Sequence, residues 1–104
     1  MLYRKEITMK NISELEARKI LSSRGHKNIV TVTFPSGHTI DTHEHPFDAD
    51  FVIISGNMKL KVADKEYNLT PGNEFQLGAG IKHSELMGED GVILVSARPE
   101  VTDH

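Results

Sequence analysis

The chain has 104 residues, no cysteine and a net charge of −3 from 12 basic and 15 acidic side chains. That length suffices for one hydrophobic core, while disulfide frameworks, zinc–thiolate sites and thiol nucleophiles are excluded. No basic run is present to follow a phosphate backbone, and no segment reaches the roughly 20 apolar residues that cross a bilayer. The opening MLYRKEITMK lacks the apolar stretch of a signal peptide. The expectation is therefore one domain over 1–104, cytoplasmic, with neither nucleic acid nor membrane as partner.

The helical signal lies near the start. Ser13 followed by Glu16 has the spacing of a capping box, Leu15, Ile20 and Leu21 fall near helical periodicity, and Gly25 supplies a stop. A short helix over about 14–23 is predicted, covering either a barrel opening or a partner subunit. Everything afterwards reads as strands. NIVTVTF (Asn28–Phe34) is rich in β-branched residues and ends at the turn residues Pro35-Ser36-Gly37. Phe51–Ser55 is apolar, and Gly56-Asn57 is read as separating it from a further strand, Met58–Val62, in which Met58, Leu60 and Val62 alternate with Lys59 and Lys61. Turns are predicted at Asp64-Lys65, Pro71-Gly72 and Gly88–Gly91, and Val92–Ala97 is apolar enough for a strand covered on both faces. Short strands at this spacing predict an all-β antiparallel sandwich or barrel over about 28–97, with a polar tail at 98–104.

Histidines concentrate in the middle of the chain. His43 and His45 are two apart, so on extended backbone they share a face, an arrangement in which two imidazole nitrogens grip one ion at about 2 Å. A third, His83, lies far along the chain behind Gly78 and Gly80. His38 alternates to the opposite face and is read as exposed or supporting, and His26 and His104 receive no role. A metal site and a metal-free polar turn are both compatible with the histidine pair alone.

The glycine framework around these histidines resembles the two motifs of the cupin family. Gly37, five residues, His43, one residue, His45 and then Gly56 resembles the first motif; Gly72, five residues, Gly78, one residue, Gly80, two residues, His83 resembles the second. The resemblance implies a small jelly-roll β-barrel, usually a homodimer, with a divalent transition metal (iron, nickel, zinc, manganese or copper) held inside by His43, His45 and His83. The pattern also departs from the family. Ala49 stands at the usual glutamate, flanked by Asp48 and Asp50 one step out of register; Gly78 stands at the usual proline and Met87 at the usual asparagine. Asp48 is read as a turn cap.

Glu85 shares the face of His83 and Met87, which directs it to the same cavity. It is read as a fourth ligand or a catalytic base, or else as a carboxylate that hydrogen-bonds His83 or His45 into one tautomer. By alternation Phe51, Ile53, Leu60, Phe75 and Met87 form an apolar wall, so the expected ligand or substrate is a small, partly apolar molecule. Three functions follow. The first is a metal enzyme, oxygenase-like because three histidines resemble the iron site of thiol-dioxygenase cupins. The second is a non-catalytic ligand-binding or sensor module, and the third a degenerate barrel kept for its structure.

Overall fold

The computed structural model describes residues 12–99. Among them α1 (Glu14–Ser23) precedes β1 (Asn28–Phe34), β2 (Thr39–His43), β3 (Ala49–Val62), β4 (Lys65–Leu69), β5 (Glu74–Leu77) and β6 (His83–Arg98). The opening segment and the end of the expected tail, His104 included, lie outside the described residues. No helix among the described residues is long and apolar enough to cross a membrane.

The helix begins where the capping box predicts. The Ser13 hydroxyl accepts from the Glu16 N–H at 3.0 Å, and the Glu16 carboxylate accepts from the Ser13 N–H at 3.0 Å. Gly25, at φ 93°, takes the left-handed conformation just past the last turn. One face of α1 is fully buried: Ala17 and Leu21 pack on Val52 and Val95. The helix thus covers the outer face of its own sheet. The expectation that it covers a barrel opening is corrected on this point.

All strand pairings are antiparallel, and two long strands organise them. The first half of β3 pairs β5, and its second half pairs β4. The first half of β6 pairs β2, and its second half pairs β1. Because β3 and β6 also pair with each other along most of their length, they carry the chain from one half-barrel into the other. The sequence reading split both of these strands, and the structure corrects it: Gly56-Asn57 and Gly88–Gly91 are bends within continuous strands, not turns between strands.

These bends reset the inward face. Phe51 and Ile53 point into the core, and so do Met58 and Leu60, which have the opposite parity. The register shifts after Ile53 and after Gly56 make that change of parity possible. On β6 the inward set moves likewise from His83 and Met87 to Val92, Leu94 and Ser96. Val92–Ala97 is covered on both faces as predicted, because Val92 and Leu94 join the inner core while Val95 lies under α1.

Two smaller boundaries also move. The tight turn before β4 is centred on Ala63-Asp64, with Ala63 at φ 57°, and Lys65 already pairs with Val62. Arg98, expected in the tail, is the last residue of β6 and pairs with Asn28.

A polar cluster ties the end of α1 to the sheet. The Asp50 carboxylate, on a residue only 4% exposed, receives two bonds of 2.9 Å from the Arg24 guanidinium and one of 2.8 Å from His26 Nε2. Arg24 also reaches Glu74 at 2.9 Å. Burial alone would raise the Asp50 carboxyl, but the hydrogen bonds from Arg24 and His26 outweigh it and hold the group below the usual carboxylate range. A lowered folded-state pKa contributes stability above the unfolded value of about 4, and that contribution is lost as pH falls through the folded value. Arg24→Met leaves Asp50 inside with His26 as its remaining partner and is expected to cost about 2 kcal/mol at neutral pH. Urea midpoints measured from pH 6 downward check this, the parent losing stability on acidification more steeply than the variant; parallel curves would remove the role given to the pair.

Candidate metal centre

His43 is the last residue of β2 and His83 the first of β6, and their Cα atoms are register partners. The pairing of these strands therefore brings together two imidazoles forty residues apart in sequence, their ring centroids 4.3 Å from each other. His45 stands just past the end of β2, in the loop leading to β3. That loop is locked to the one before β6 by two hydrogen bonds: Gly80 N–H donates to the His45 carbonyl at 2.9 Å, and Ala79 N–H donates to Asp48 Oδ1 at 2.8 Å. The His45 ring lies 4.8 Å from that of His43 and 5.2 Å from that of His83, and it stacks on Phe47 at 4.9 Å.

One potential ligand atom from each of the three histidines lies within 4.8 Å of the others. Nitrogens in neighbouring positions around one ion at about 2.1 Å are about 3 Å apart, so ring rotations of an ångström or two close the set. Hydrogen bonding selects which nitrogens face inward. His43 Nδ1 is 2.7 Å from the Asp41 carbonyl and His83 Nδ1 is 3.0 Å from the Ile81 carbonyl. A carbonyl only accepts, so both Nδ1 atoms carry the proton and both Nε2 lone pairs are left for an ion. Burial, then the neighbouring charges of His43, His83 and Arg98, lower the His45 pKa, which favours the neutral, ligating form. The donor set fits a divalent transition metal of the kind imidazole prefers.

Glu85 lines the same cavity. Burial raises its carboxyl above the usual range, against the opposing pull of His83 and His43. Backbone carbonyls hold the His43 and His83 tautomers, so the expectation that Glu85 fixes a histidine tautomer is corrected for His83. Neither flanking aspartate replaces the absent glutamate: Asp48 caps the loop before β6, as expected, and Asp50 is engaged by Arg24 and His26. His38 is exposed and stacks on Phe34 at 5.2 Å, away from the trio.

The cavity holds about 130 Å³, with walls that include Val32, Phe34, Ile40, Phe51, Leu60 and Leu94. Phe51 and Leu60 stand where alternation put them, whereas Ile53, Phe75 and Met87 belong to the packed core and do not line the space. Sequence reasoning missed Ser96 and Arg98, which also line the cavity. The available signal was their parity with Val92 and Leu94, two polar residues continuing an inward apolar row.

A rolled antiparallel sheet with three imidazoles converging on an interior cavity defines a jelly-roll barrel. The family model described as the cupin domain matches residues 30–94, and the chain belongs to that family. No curated protein matches it. Among solved structures it is similar to a cupin-2 domain protein from Shewanella frigidimarina, at 19% identity over 69% of each chain with a TM-score of 0.61. KdgF from a Halomonas species is 22% identical over 69% of each chain, with a TM-score of 0.57. The DMSP lyase DddQ from Ruegeria pomeroyi is 20% identical over 73% of this chain and 40% of its own, with a TM-score of 0.61. At these identities the likeness concerns the fold.

Proposed function

We propose that this cupin binds a divalent transition metal through His43, His45 and His83 and acts on a small, partly apolar molecule in the cavity. The observation that carries the reading is the pair of backbone hydrogen bonds that commits Nδ1 of His43 and His83 and leaves Nε2 of each for an ion. A metal on three histidines retains open positions at which it polarises a bound substrate or lowers the pKa of water. The chain's own residues supply the remainder. The apolar walls exclude bulk water and bind the hydrocarbon part of the substrate. Glu85, held protonatable by burial on the face of His83, is placed to exchange a proton with a molecule in the cavity. The solved likeness to a DMSP lyase supports an enzymatic reading over a purely structural one, as analogy of fold.

The experiment is metal uptake and oxygen consumption with iron(II) across a panel of small acids and thiols, parent against His83→Ala. Turnover in the parent that disappears in the variant supports an oxygenase-like enzyme. Metal uptake with ligand binding but no turnover of any member supports the binding-module alternative.

The reading includes a homodimer. The outer edge of β1 has no strand partner among the described residues, only a hydrogen bond from Arg18 of α1 to the Ile29 carbonyl at 3.0 Å, and an unpaired strand edge is a template for a second copy. Light scattering is expected to give twice the 11.6 kDa chain mass; a monomer at micromolar concentration would remove this part.

A further inference from the structure

The cavity carries one permanent positive charge that the metal reading does not use. Arg98 is the only lysine or arginine lining it among the described residues. Its Nη1 donates to Ser96 Oγ at 2.6 Å, and Ser96, 4% exposed, anchors that contact from inside the barrel. No carboxylate lies within ion-pair distance of Arg98 among the described residues, in contrast to Arg18 and Arg24. Arg98 is exposed at the end of β6, and among the described residues its guanidinium is oriented by a buried hydroxyl and by no carboxylate.

Position in the fold gives this charge a direction. Ser96 and Arg98 lie on the half of β6 that pairs β1, whereas His83 and Glu85 lie on the half that pairs β2. The two halves belong to the two sides of the barrel and line one cavity. A molecule in this cavity meets a planar cation near His45, the other two imidazoles, a carboxyl and apolar walls. The cavity volume of about 130 Å³ accommodates on the order of six non-hydrogen atoms.

We propose that Arg98 is a specificity-determining residue that selects small carboxylic acids with a compact apolar body, the carboxylate held by the guanidinium and the body directed toward the histidines. This names the ligand class for the cavity and rests on the reading that the cavity is the functional site. The guanidinium fork matches a carboxylate in two parallel bonds, which a neutral amide of the same shape does not reproduce.

The test compares acetate, butyrate and benzoate with their amides by titration calorimetry, on nickel-loaded and metal-free protein, for the parent and Arg98→Met. The parent is expected to bind at least one acid about tenfold or more above its amide, as a charge-assisted hydrogen bond provides. Arg98→Met brings the pair within about twofold while nickel content and melting temperature stay at parent values. Equal binding of acids and amides by the parent, or no binding of any, overturns the proposal. An acid preference that survives in Arg98→Met also overturns it and places the carboxylate on the metal. Failure of the metal reading is seen separately, as absence of nickel from the parent; the acid preference lost in Arg98→Met is then expected in metal-free protein too.

Discussion

His83→Ala is expected to remove stoichiometric metal binding, weakening affinity by well over the roughly 10–100-fold that follows loss of a supporting contact. His83 is 4% exposed, is held in one tautomer by the Ile81 carbonyl and stands directly opposite His43 in the ladder. Removing it leaves two imidazoles, one of them on a loop; Asp48 and Asp50 are already bonded elsewhere, and Glu85 is the carboxyl that still shares the cavity. His38→Ala is the matched control, since that ring is exposed and stacks on Phe34 outside the trio. The readouts are metal content after dialysis and thermal stability. Metal at a hundred times its dissociation constant stabilises the folded state by about 2.7 kcal/mol, which for a chain of this size raises the melting temperature by roughly 10 °C or more. That rise is expected in the parent and in His38→Ala, is abolished by a chelator, and is absent in His83→Ala. An equal rise in all three proteins would place the ion elsewhere.

Gly56→Ala should be the most destabilising of the simple backbone substitutions. A Cβ built there lies 2.0 Å from the Gly91 carbonyl oxygen and 2.8 Å from its carbon, both main-chain atoms that no rotamer change can move aside. Its φ of 74° adds the left-handed penalty of about 1–2 kcal/mol for a residue with a side chain. Relieving the clash requires β3 and β6 to separate where the two half-barrels join, so the total is expected at about 3 kcal/mol or more. Gly37→Ala isolates the dihedral cost, because Gly37 has φ 69° but nothing within 4 Å of its added Cβ. Urea unfolding of the two variants reads the difference directly. Similar midpoints for both would mean that the strands do not approach this closely at Gly56.

The same corner explains where reading the chain failed. A short polar stretch containing glycine, set between apolar segments, has one local appearance whether it turns the chain back or bends a continuing strand. Turn and bend differ only in what the next residues pair with, and Gly56 and Gly91 are resolved as bends by each other's backbone. The shift of inward parity along β3 and β6 follows from those bends. Alternation assigned Phe51 and Leu60 correctly to the cavity wall; Ile53 and Met87 also point inward as it placed them, but they belong to the packed core and do not line the cavity. Arg98 escaped notice because a charged residue at a strand end reads as the start of a tail. Asp50 was noticed, but its role was not, because its partners Arg24 and His26 are more than twenty residues away.

Local chemistry determined what local chemistry can. The capping box and the glycine after it bounded α1, β-branched alternation bounded β1, and the glycine–histidine spacing of two distant segments identified the family and the three candidate ligands. Tertiary structure alone decided that β3 and β6 are continuous, that α1 covers the outer sheet face, that the two aspartates are committed elsewhere and that Arg98 shares a cavity with His43, His45 and His83. The physical reason is range. Caps, turns and period-two alternation act over a few residues, whereas register, corner contacts and cavity membership depend on which strands come to lie side by side.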